Sequence, residues 1–309
     1  MLHNLKEKII KLINKRLLKT PGLETLKKNL SSEKNKKSHL DFWLKKSSQN
    51  PSINKFFFEE NAASEKFNQN ISDYTFDTFN NFSITEEMLI SLKKFGLLVI
   101  KNALPTKEKE NIISHFLELK NNKFSKKWIG ETTKNIREES EIQRGYIDIN
   151  KFEYLNRYSN QATKNIYNKV VKPNVELHYL KLKKILEEKP MRGETLLHSD
   201  RFLPHFKMFY TPFKIEKNDA PLQYALGSHK INENYINFFL KSKYFDETDK
   251  SSLELIKKPI TVTTDENTLY IAFTNGLHKR SAFTKTNSER CMMFFQYVER
   301  FNKFNYLFN

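Results

Sequence analysis

The spacing of apolar residues near the start of the chain predicts a helix. Leu and Ile recur at helical spacing over residues 2–17, with lysines on the opposite face, and the pattern ends near Pro21-Gly22. A basic amphipathic helix of this kind either lies on an anionic membrane surface or packs against its own domain or a partner. Both alternatives stay open for residues 1–18.

A polar stretch separates this helix from the rest of the chain. Residues 31–56 are rich in Lys, Ser and Asn, which predicts a solvated linker or a short helix. Phe56, Phe57 and Phe58 interrupt that composition, and we expect them to anchor the segment to the body. The pattern therefore predicts a basic helical extension over residues 1–82 and a domain over residues 83–309.

The domain begins with a helix–strand–helix pattern. Ser83, three residues before Glu86, predicts a capping box at the start of a helix. The run Phe95–Ile100 predicts a buried strand. Residues 104–106 read Leu-Pro-Thr, and a second amphipathic helix is predicted from Lys107 to Lys120.

The remainder of the chain predicts mainly strands. Residues 122–160 give no clear pattern, and residues 160–188 show helical patches. After Pro190 the predicted strands are Thr195–His198, Phe206–Pro212, Leu222–Leu226, Ile260–Thr263, Thr268–Phe273 and Arg290–Arg300. Many short strands joined by polar turns are typical of an antiparallel sandwich or barrel.

The composition narrows the class of protein. The formal net charge is +17, yet the chain has no Arg-rich helix, zinc-finger spacing or aromatic RNA-binding motif, so we expect no specific nucleic-acid partner. Cys291 is the single cysteine, which excludes an internal disulfide and favours a cytoplasmic location. No apolar run approaches the roughly 20 residues that span a bilayer. The lysines within residues 1–18 leave no continuous apolar segment for a signal peptide.

Two histidines and one aspartate form the candidate metal site. Asp200 is two residues after His198, and residues two apart in a strand face the same side, so an extended chain here offers an imidazole and a carboxylate to one point. His278 follows the apolar run 269–273 through a short polar segment. Two imidazoles and one carboxylate on one face of a metal leave the opposite face open, as non-haem Fe(II) oxygenases require.

Arg290 completes this set, because a guanidinium group matches the carboxylate of a bound oxoacid. Arg280 is a competing anion contact. His229 is expected to close a turn, His205 to be structural or to line a pocket, and Cys291 to be a small core residue.

These residues together resemble the phytanoyl-CoA dioxygenase-like family of Fe(II)/2-oxoglutarate oxygenases. The resemblance covers roughly Ser83 to Asn302. It is carried by His198-Ser199-Asp200, Lys207, Gly227-Ser228-His229-Lys230, His278 followed by Arg290, and the run from Glu86 to Lys120.

The resemblance implies a fold, a site and an activity. The fold is a mostly-β double-stranded β-helix, or jelly roll, with flanking helices. Fe(II) is held by His198, Asp200 and His278, Arg290 binds the C5 carboxylate of 2-oxoglutarate, and Lys207 is a weaker co-substrate or substrate contact. Molecular oxygen and a small-molecule substrate complete the reaction, which is expected to be a hydroxylation. The alternative is a non-catalytic binding or scaffold protein that keeps the fold.

Overall fold

The structure is a computed structural model. It describes residues 51–58, 71–121, 131–135, 140–146, 149–168, 178–185, 196–200, 205–232, 259–281 and 289–298, together with residues 41, 45, 49 and 235. The predicted basic helix of residues 2–17 lies outside the described residues. No described helix combines the length and the apolar composition needed to cross a bilayer.

Four described helices flank the strands. They are α1 (Pro51–Phe57), α2 (Glu86–Phe95), α3 (Thr106–Asn121) and α4 (Glu153–Tyr167). Short 3-10 turns occur at Ile71–Tyr74 and Ile149–Lys151. The helix–strand–helix order predicted for the start of the domain is confirmed by α2, the strand Leu97–Lys101 and α3.

Eleven strands are described. They are β1 (Thr75–Asp77), β2 (Leu97–Lys101), β3 (Glu131–Asn135), β4 (Ser140–Tyr146), β5 (His178–Ile185), β6 (His205–Thr211), β7 (Leu222–Tyr224), β8 (Ile260–Val262), β9 (Thr268–Phe273), β10 (His278–Arg280) and β11 (Glu289–Val298). They form an eight-stranded sheet in the order β1-β2-β9-β6-β11-β5-β4-β3 and a three-stranded sheet in the order β10-β7-β8. All pairs are antiparallel except β1 with β2.

Alternating residues of the large sheet face two different cores. On β9, Tyr270 and Ala272 join a cluster shared with Tyr224 and Val262 of the small sheet. The intervening residues, such as Ile271, join a second cluster formed with the helices. The two-residue period of the strands therefore buries one face of the sheet against the small sheet and the other against the helices. This arrangement confirms the predicted jelly-roll core with flanking helices.

The phenylalanines before the domain are anchored as predicted. Phe56 and Phe57 are 2% and 0% exposed within the helix-side core. The Phe57 ring lies 4.5 Å from that of Phe273, between ring centroids. The division at residue 82 stays a prediction, although α1 packs on the same core as the domain.

Two local predictions are wrong. The N-cap of α2 is Thr85, whose hydroxyl accepts a hydrogen bond from the backbone N–H of Met88, so Ser83 does not cap the helix. The helical patches predicted for residues 160–188 include His178–Ile185, which is instead strand β5. There β4 and β11 flank the segment on both sides, and their backbone ladders favour the extended form.

Candidate metal centre

The backbone brings the first and third candidate ligands together. His198 and His278 form an isolated antiparallel bridge in which each N–H donates to the other carbonyl at 2.9 Å. The N–H of Asp200 donates to the carbonyl of Thr274, also at 2.9 Å. Segments 196–200 and 274–278 therefore hold all three candidate ligands side by side. Among the described residues 196–200, only His198 forms a β-bridge, so the predicted strand Thr195–His198 appears here as a single bridge.

Both histidines present the same nitrogen to the site. The Nδ1 atom of His198 lies 2.6 Å from the carbonyl oxygen of Leu196, and that of His278 lies 2.8 Å from the carbonyl oxygen of Gly276. A carbonyl oxygen only accepts hydrogen bonds, so each Nδ1 carries the proton. In the neutral ring, each Nε2 then keeps a lone pair available to a metal.

The donor atoms converge on one point. The Nε2 of His198 lies 3.8 Å from Oδ1 of Asp200, and the Nε2 of His278 lies 3.5 Å from Oδ2. One donor atom from each of the three residues lies within 4.8 Å of the other two. Neighbouring ligands in an octahedral site are roughly 3 Å apart, so a small closure of the side chains would fit a divalent ion.

The charge of the site is also suited to a cation. Burial opposes ionisation of Asp200, but Lys207 and the two histidines hold its pKa well below the ordinary value. The Asp200 side chain is therefore a carboxylate at neutral pH. Burial lowers the pKa of His278, although Asp200 opposes that shift. A neutral imidazole beside a carboxylate is the protonation state that a metal ligand set requires.

Lys207 lies at the candidate metal site, where it contacts Asp200, and not in a separate pocket. Its Nζ lies 2.5 Å from Oδ2 of Asp200 and 5.0 Å from the centre of the Phe294 ring. The two charged side chains are only 13% and 21% exposed, so the pair is largely removed from solvent. Lys207 thus supplies the positive charge that balances Asp200 in this structure.

Arg290 lies deeper between the two sheets. It is buried near the start of β11, where its guanidinium donates to the carbonyl oxygen of Ala220. Burial raises the pKa of Tyr270 to about 12, against the opposing effect of the Arg290 charge. In the strand register Lys207 faces Gln296, six residues beyond Arg290 and about 20 Å along the strand. The structure therefore does not join Arg290 directly to His198, Asp200 and His278, which we call the triad. The co-substrate role of Arg290 stays a prediction.

The remaining candidates occupy structural positions. His229 is fully buried in a turn, and its Nε2 lies 3.1 Å from the carbonyl oxygen of Lys93. His205 is buried beside the site and bonds the hydroxyl of Thr274 through Nδ1 at 2.7 Å. Cys291 packs against the helix-side core. Arg280 is 7% exposed and two residues beyond His278, so it faces the same side of β10.

Sequence reasoning missed the residues that hold the ligand segments. Ser199 donates its hydroxyl proton to the carbonyl of Asn275 at 2.7 Å, and the N–H of Leu277 donates to the hydroxyl of Ser228, also at 2.7 Å. A Cβ on Gly276 would meet the hydroxyl of Tyr224 and lie 3.0 Å from two backbone atoms. Gly276 stands two residues before His278, but a lone glycine before a histidine does not reveal such contacts.

Comparisons with known proteins give distant structural likenesses. No protein-family model matches the chain, and no curated protein matches it significantly. A solved structure of the non-haem 2-oxoglutarate-dependent carbocyclase SnoK is 14% identical, with TM-score 0.45, covering 69% of this chain and 83% of that one. HygX from Streptomyces hygroscopicus, with nickel and 2-oxoglutarate bound, is 15% identical, with TM-score 0.42, covering 71% and 88%. A putative oxygenase from Shewanella oneidensis is 12% identical, with TM-score 0.44, covering 75% and 96%. Likenesses of this strength assign neither a function nor site residues to the chain.

Proposed function

We propose that the chain is an Fe(II)- and 2-oxoglutarate-dependent oxygenase of the phytanoyl-CoA dioxygenase-like type, with His198, Asp200 and His278 as iron ligands. One observation carries the proposal. Two imidazoles, each with Nδ1 hydrogen-bonded to a backbone carbonyl, direct Nε2 toward the same ionised carboxylate. A hydrogen bond from the other ring nitrogen to a carbonyl oxygen fixes the ring orientation and the tautomer of a metal-ligating histidine.

The donor set also favours iron over Ca²⁺ and Mg²⁺. Two nitrogen donors and one carboxylate suit a ferrous ion with open positions, whereas Ca²⁺ and Mg²⁺ prefer oxygen donors. When bound, iron and 2-oxoglutarate would supply the oxygen activation, with succinate and carbon dioxide as products.

The protein's own residues bind and orient these groups. His198, Asp200 and His278 would hold the metal through two imidazole nitrogens and one carboxylate oxygen, which leaves room for co-substrate and oxygen. Arg290, whose guanidinium is buried, is the proposed partner of the distal carboxylate of 2-oxoglutarate, and Lys207, which contacts Asp200, is the second cationic candidate. Asp200 occupies the position that a halide would fill if the residue were Ala or Gly. Hydroxylation of a small metabolite or lipid-like molecule is therefore the favoured reaction.

A specific observation supports a second candidate function. The Asp200 carboxylate has a cationic partner among the protein's own residues, because the Nζ of Lys207 lies 2.5 Å from its Oδ2. A binding or scaffold protein that has lost metal could keep the jelly-roll fold in this way. The two functions differ in whether a divalent ion binds to His198, Asp200 and His278 despite the contact between Lys207 and Asp200.

An anaerobic binding experiment tests the proposal. Addition of Fe(II) and 2-oxoglutarate to the apoprotein should produce a visible charge-transfer absorption that is lost in His198→Ala. His115→Ala, which alters a partly exposed histidine on α3, is the matched control and should keep the absorption. A pure, folded wild-type protein without metal-dependent binding of 2-oxoglutarate would contradict the proposal and favour the scaffold function.

A turnover assay distinguishes a site that only binds iron and 2-oxoglutarate from one that also catalyses the reaction. Wild-type protein with iron, oxygen and 2-oxoglutarate should release succinate, at a higher rate with a true substrate. One oxygen molecule and one 2-oxoglutarate are then consumed for each hydroxylated product, succinate and carbon dioxide. Succinate release that does not depend on His198 would point to contaminating metal chemistry.

A further inference from the structure

A turn that follows β7 forms hydrogen bonds with the C-terminal end of helix α2. Residues 227–231 form this turn, which we call the clamp turn. The N–H of Gly227 donates to the carbonyl of Phe95 at 2.8 Å. The Nε2 of His229 lies 3.1 Å from the carbonyl oxygen of Lys93, so that nitrogen carries the proton and donates it. The last carbonyl groups of a helix lack partners within the helix, and the clamp turn supplies two for α2.

The clamp turn also forms hydrogen bonds with the C-terminal end of helix α1. The buried Lys230 donates from Nζ to the carbonyl of Phe56 at 2.8 Å, and the N–H of Ile231 donates to the carbonyl of Phe57 at 2.8 Å. A cation at a helix C-terminus interacts favourably with the helix dipole, and burial strengthens that interaction. Helix α1 is thus fixed to the same short segment as α2.

The opposite side of the clamp turn contacts the segment that carries His278. The hydroxyl of Ser228 accepts a hydrogen bond from the N–H of Leu277 at 2.7 Å and donates to the carbonyl of Ala225 at 2.6 Å. The side-chain amide of Asn275 donates to the carbonyl of His229 at 2.8 Å. Two residues within three positions of His278 are therefore held by the clamp turn.

Asn275 extends these contacts to the other ligand segment. Its carbonyl oxygen accepts hydrogen bonds from the hydroxyls of Ser199, at 2.7 Å, and Tyr235, at 2.9 Å. Ser199 lies between His198 and Asp200 in the sequence and is fully buried. A series of hydrogen bonds therefore runs from the helix ends, through the clamp turn and Asn275, to Leu277 and Ser199, which are adjacent in the chain to the three candidate ligands.

We propose that the clamp turn is a positioning device for the metal centre, so that the docking of α1 and α2 sets the affinity for the metal. Ser228 and Asn275 are the positioning residues, and Lys230 transmits the docking of α1. The inference rests on the proposed function, because it assumes that the triad binds a metal. Residues 51–58 then belong functionally to the metal-binding domain, although the sequence pattern groups them with the extension.

Cobalt binding tests this inference on the full-length protein. Anaerobic titration of the apoprotein with Co(II), followed by visible d–d absorption, measures both the dissociation constant and the geometry of the site. Lys230→Met leaves the carbonyl of Phe56 without its cationic partner and should raise the Co(II) dissociation constant about tenfold. This is the smaller end of the effects seen when a residue that supports a metal ligand is replaced. Lys230→Arg keeps a cationic donor and should recover most of the affinity.

A matched destabilised variant separates positioning from general stability. Glu108→Ala removes hydrogen bonds that Glu108 makes to the start of α4, away from the clamp turn. It should lower the thermal midpoint while leaving the Co(II) dissociation constant and spectrum unchanged. If Lys230→Met behaves in the same way as Glu108→Ala, the clamp turn is only structural and the inference is wrong.

Ser228→Ala provides a milder and more direct test. The change removes one hydroxyl beside Leu277 without altering a charge, so the fold should persist even if Lys230→Met does not fold. An altered d–d spectrum with weaker Co(II) binding supports the inference, and wild-type behaviour contradicts it. Failure of the wild-type protein to bind Co(II) would instead contradict the proposed metal site itself.

Discussion

His198 and His278 are paired by two backbone hydrogen bonds of 2.9 Å, and their rings lie 4.6 Å apart between centroids. The two ring nitrogens that face the site are therefore positioned by hydrogen bonds to the backbone. Preorganisation of this kind lowers the cost of assembling the ligands when a metal binds.

Replacement of Lys207 should change metal and co-substrate binding in opposite directions. Lys207→Met removes a positive charge whose Nζ lies 2.5 Å from Oδ2 of Asp200, so repulsion of a bound divalent ion falls. We expect Co(II) to bind several-fold more tightly than in the wild type, and 2-oxoglutarate to bind more weakly. The apoprotein should also lose stability, by about 2–4 kcal/mol, because a largely buried carboxylate loses its partner.

Added Co(II) should restore most of that stability, since the ion replaces the missing charge. Thermal unfolding with and without Co(II) measures this coupling directly. Lys214→Met, which removes an exposed lysine paired with Glu216, is the matched control and should respond like the wild type. Weaker Co(II) binding in Lys207→Met would show that Lys207 supports the metal instead of competing with it.

Two buried arginines can be compared as co-substrate anchors. Arg290→Met should raise the dissociation constant of 2-oxoglutarate about 10- to 100-fold, because a hydrogen bond to a charged group contributes about 1.5–3 kcal/mol. Co(II) binding should not change, since Arg290 does not contact the triad residues in the described part of the chain. Arg280→Met is the matched variant, as Arg280 is similarly buried on β10. A larger effect of Arg280→Met would reverse the assignment of the two residues.

The sequence predicted the parts of the fold that depend on local patterns. The strand over Thr268–Phe273 was predicted with its observed bounds, because a continuous apolar run was followed by polar residues. Residue types, strand period and the family resemblance predict that His198, Asp200 and His278 share one site, and their donor atoms do lie within 4.8 Å of one another. Strand β5 was not, since its extended form depends on the backbone ladders with β4 and β11.

The contacts that support the candidate site could not be predicted in the same way. The clamp turn joins residues 93–96, 227–231 and 275–277, which are far apart in sequence. Lys207 is a weaker candidate from the sequence, and its contact with Asp200 depends on the pairing of segment 196–200 with residues 274–278. Local periodicity contains no information about such distant pairs.

A methyl group at position 276 should disturb both the fold and the site. Gly276→Ala places a Cβ against the hydroxyl of Tyr224 and 3.0 Å from the backbone nitrogen of His229 and the carbonyl oxygen of Phe273. Because backbone atoms cannot easily move aside, we expect a loss of about 1–3 kcal/mol in the free energy of unfolding and weaker Co(II) binding. Urea denaturation and Co(II) titration measure the two effects.

The double variant Gly276→Ala/Tyr224→Phe shows which contact dominates. Removal of the Tyr224 hydroxyl relieves the side-chain overlap but leaves both backbone contacts, so the rescue should be partial. Full rescue would mean that the backbone contacts are harmless, and no rescue would place the whole effect on the backbone.

Glu108 caps helix α4 from a neighbouring helix. The N-cap residue of α4 is Phe152, whose side chain makes no capping bond, and the Glu108 carboxylate accepts hydrogen bonds from the N–H groups of Tyr154 and Leu155 at 3.1 and 3.2 Å. Glu108→Ala should therefore lower the free energy of unfolding by about 1–2 kcal/mol. Glu108→Gln keeps one acceptor and should cost less.

The same residue makes the stability depend on pH in a defined direction. Burial raises the pKa of Glu108 above its ordinary value of 4.5, although the backbone hydrogen bonds from α4 oppose the shift. The folded protein then holds this proton more tightly than the unfolded chain does. The resulting stabilisation is complete below about pH 4.5 and is lost as the pH rises through the folded-state pKa.

The free energy of unfolding of the wild type minus that of Glu108→Gln, measured with urea, should therefore be larger at pH 4 than at pH 7. A difference that grows with pH would mean that the two backbone hydrogen bonds outweigh burial and lower the pKa of the carboxyl group.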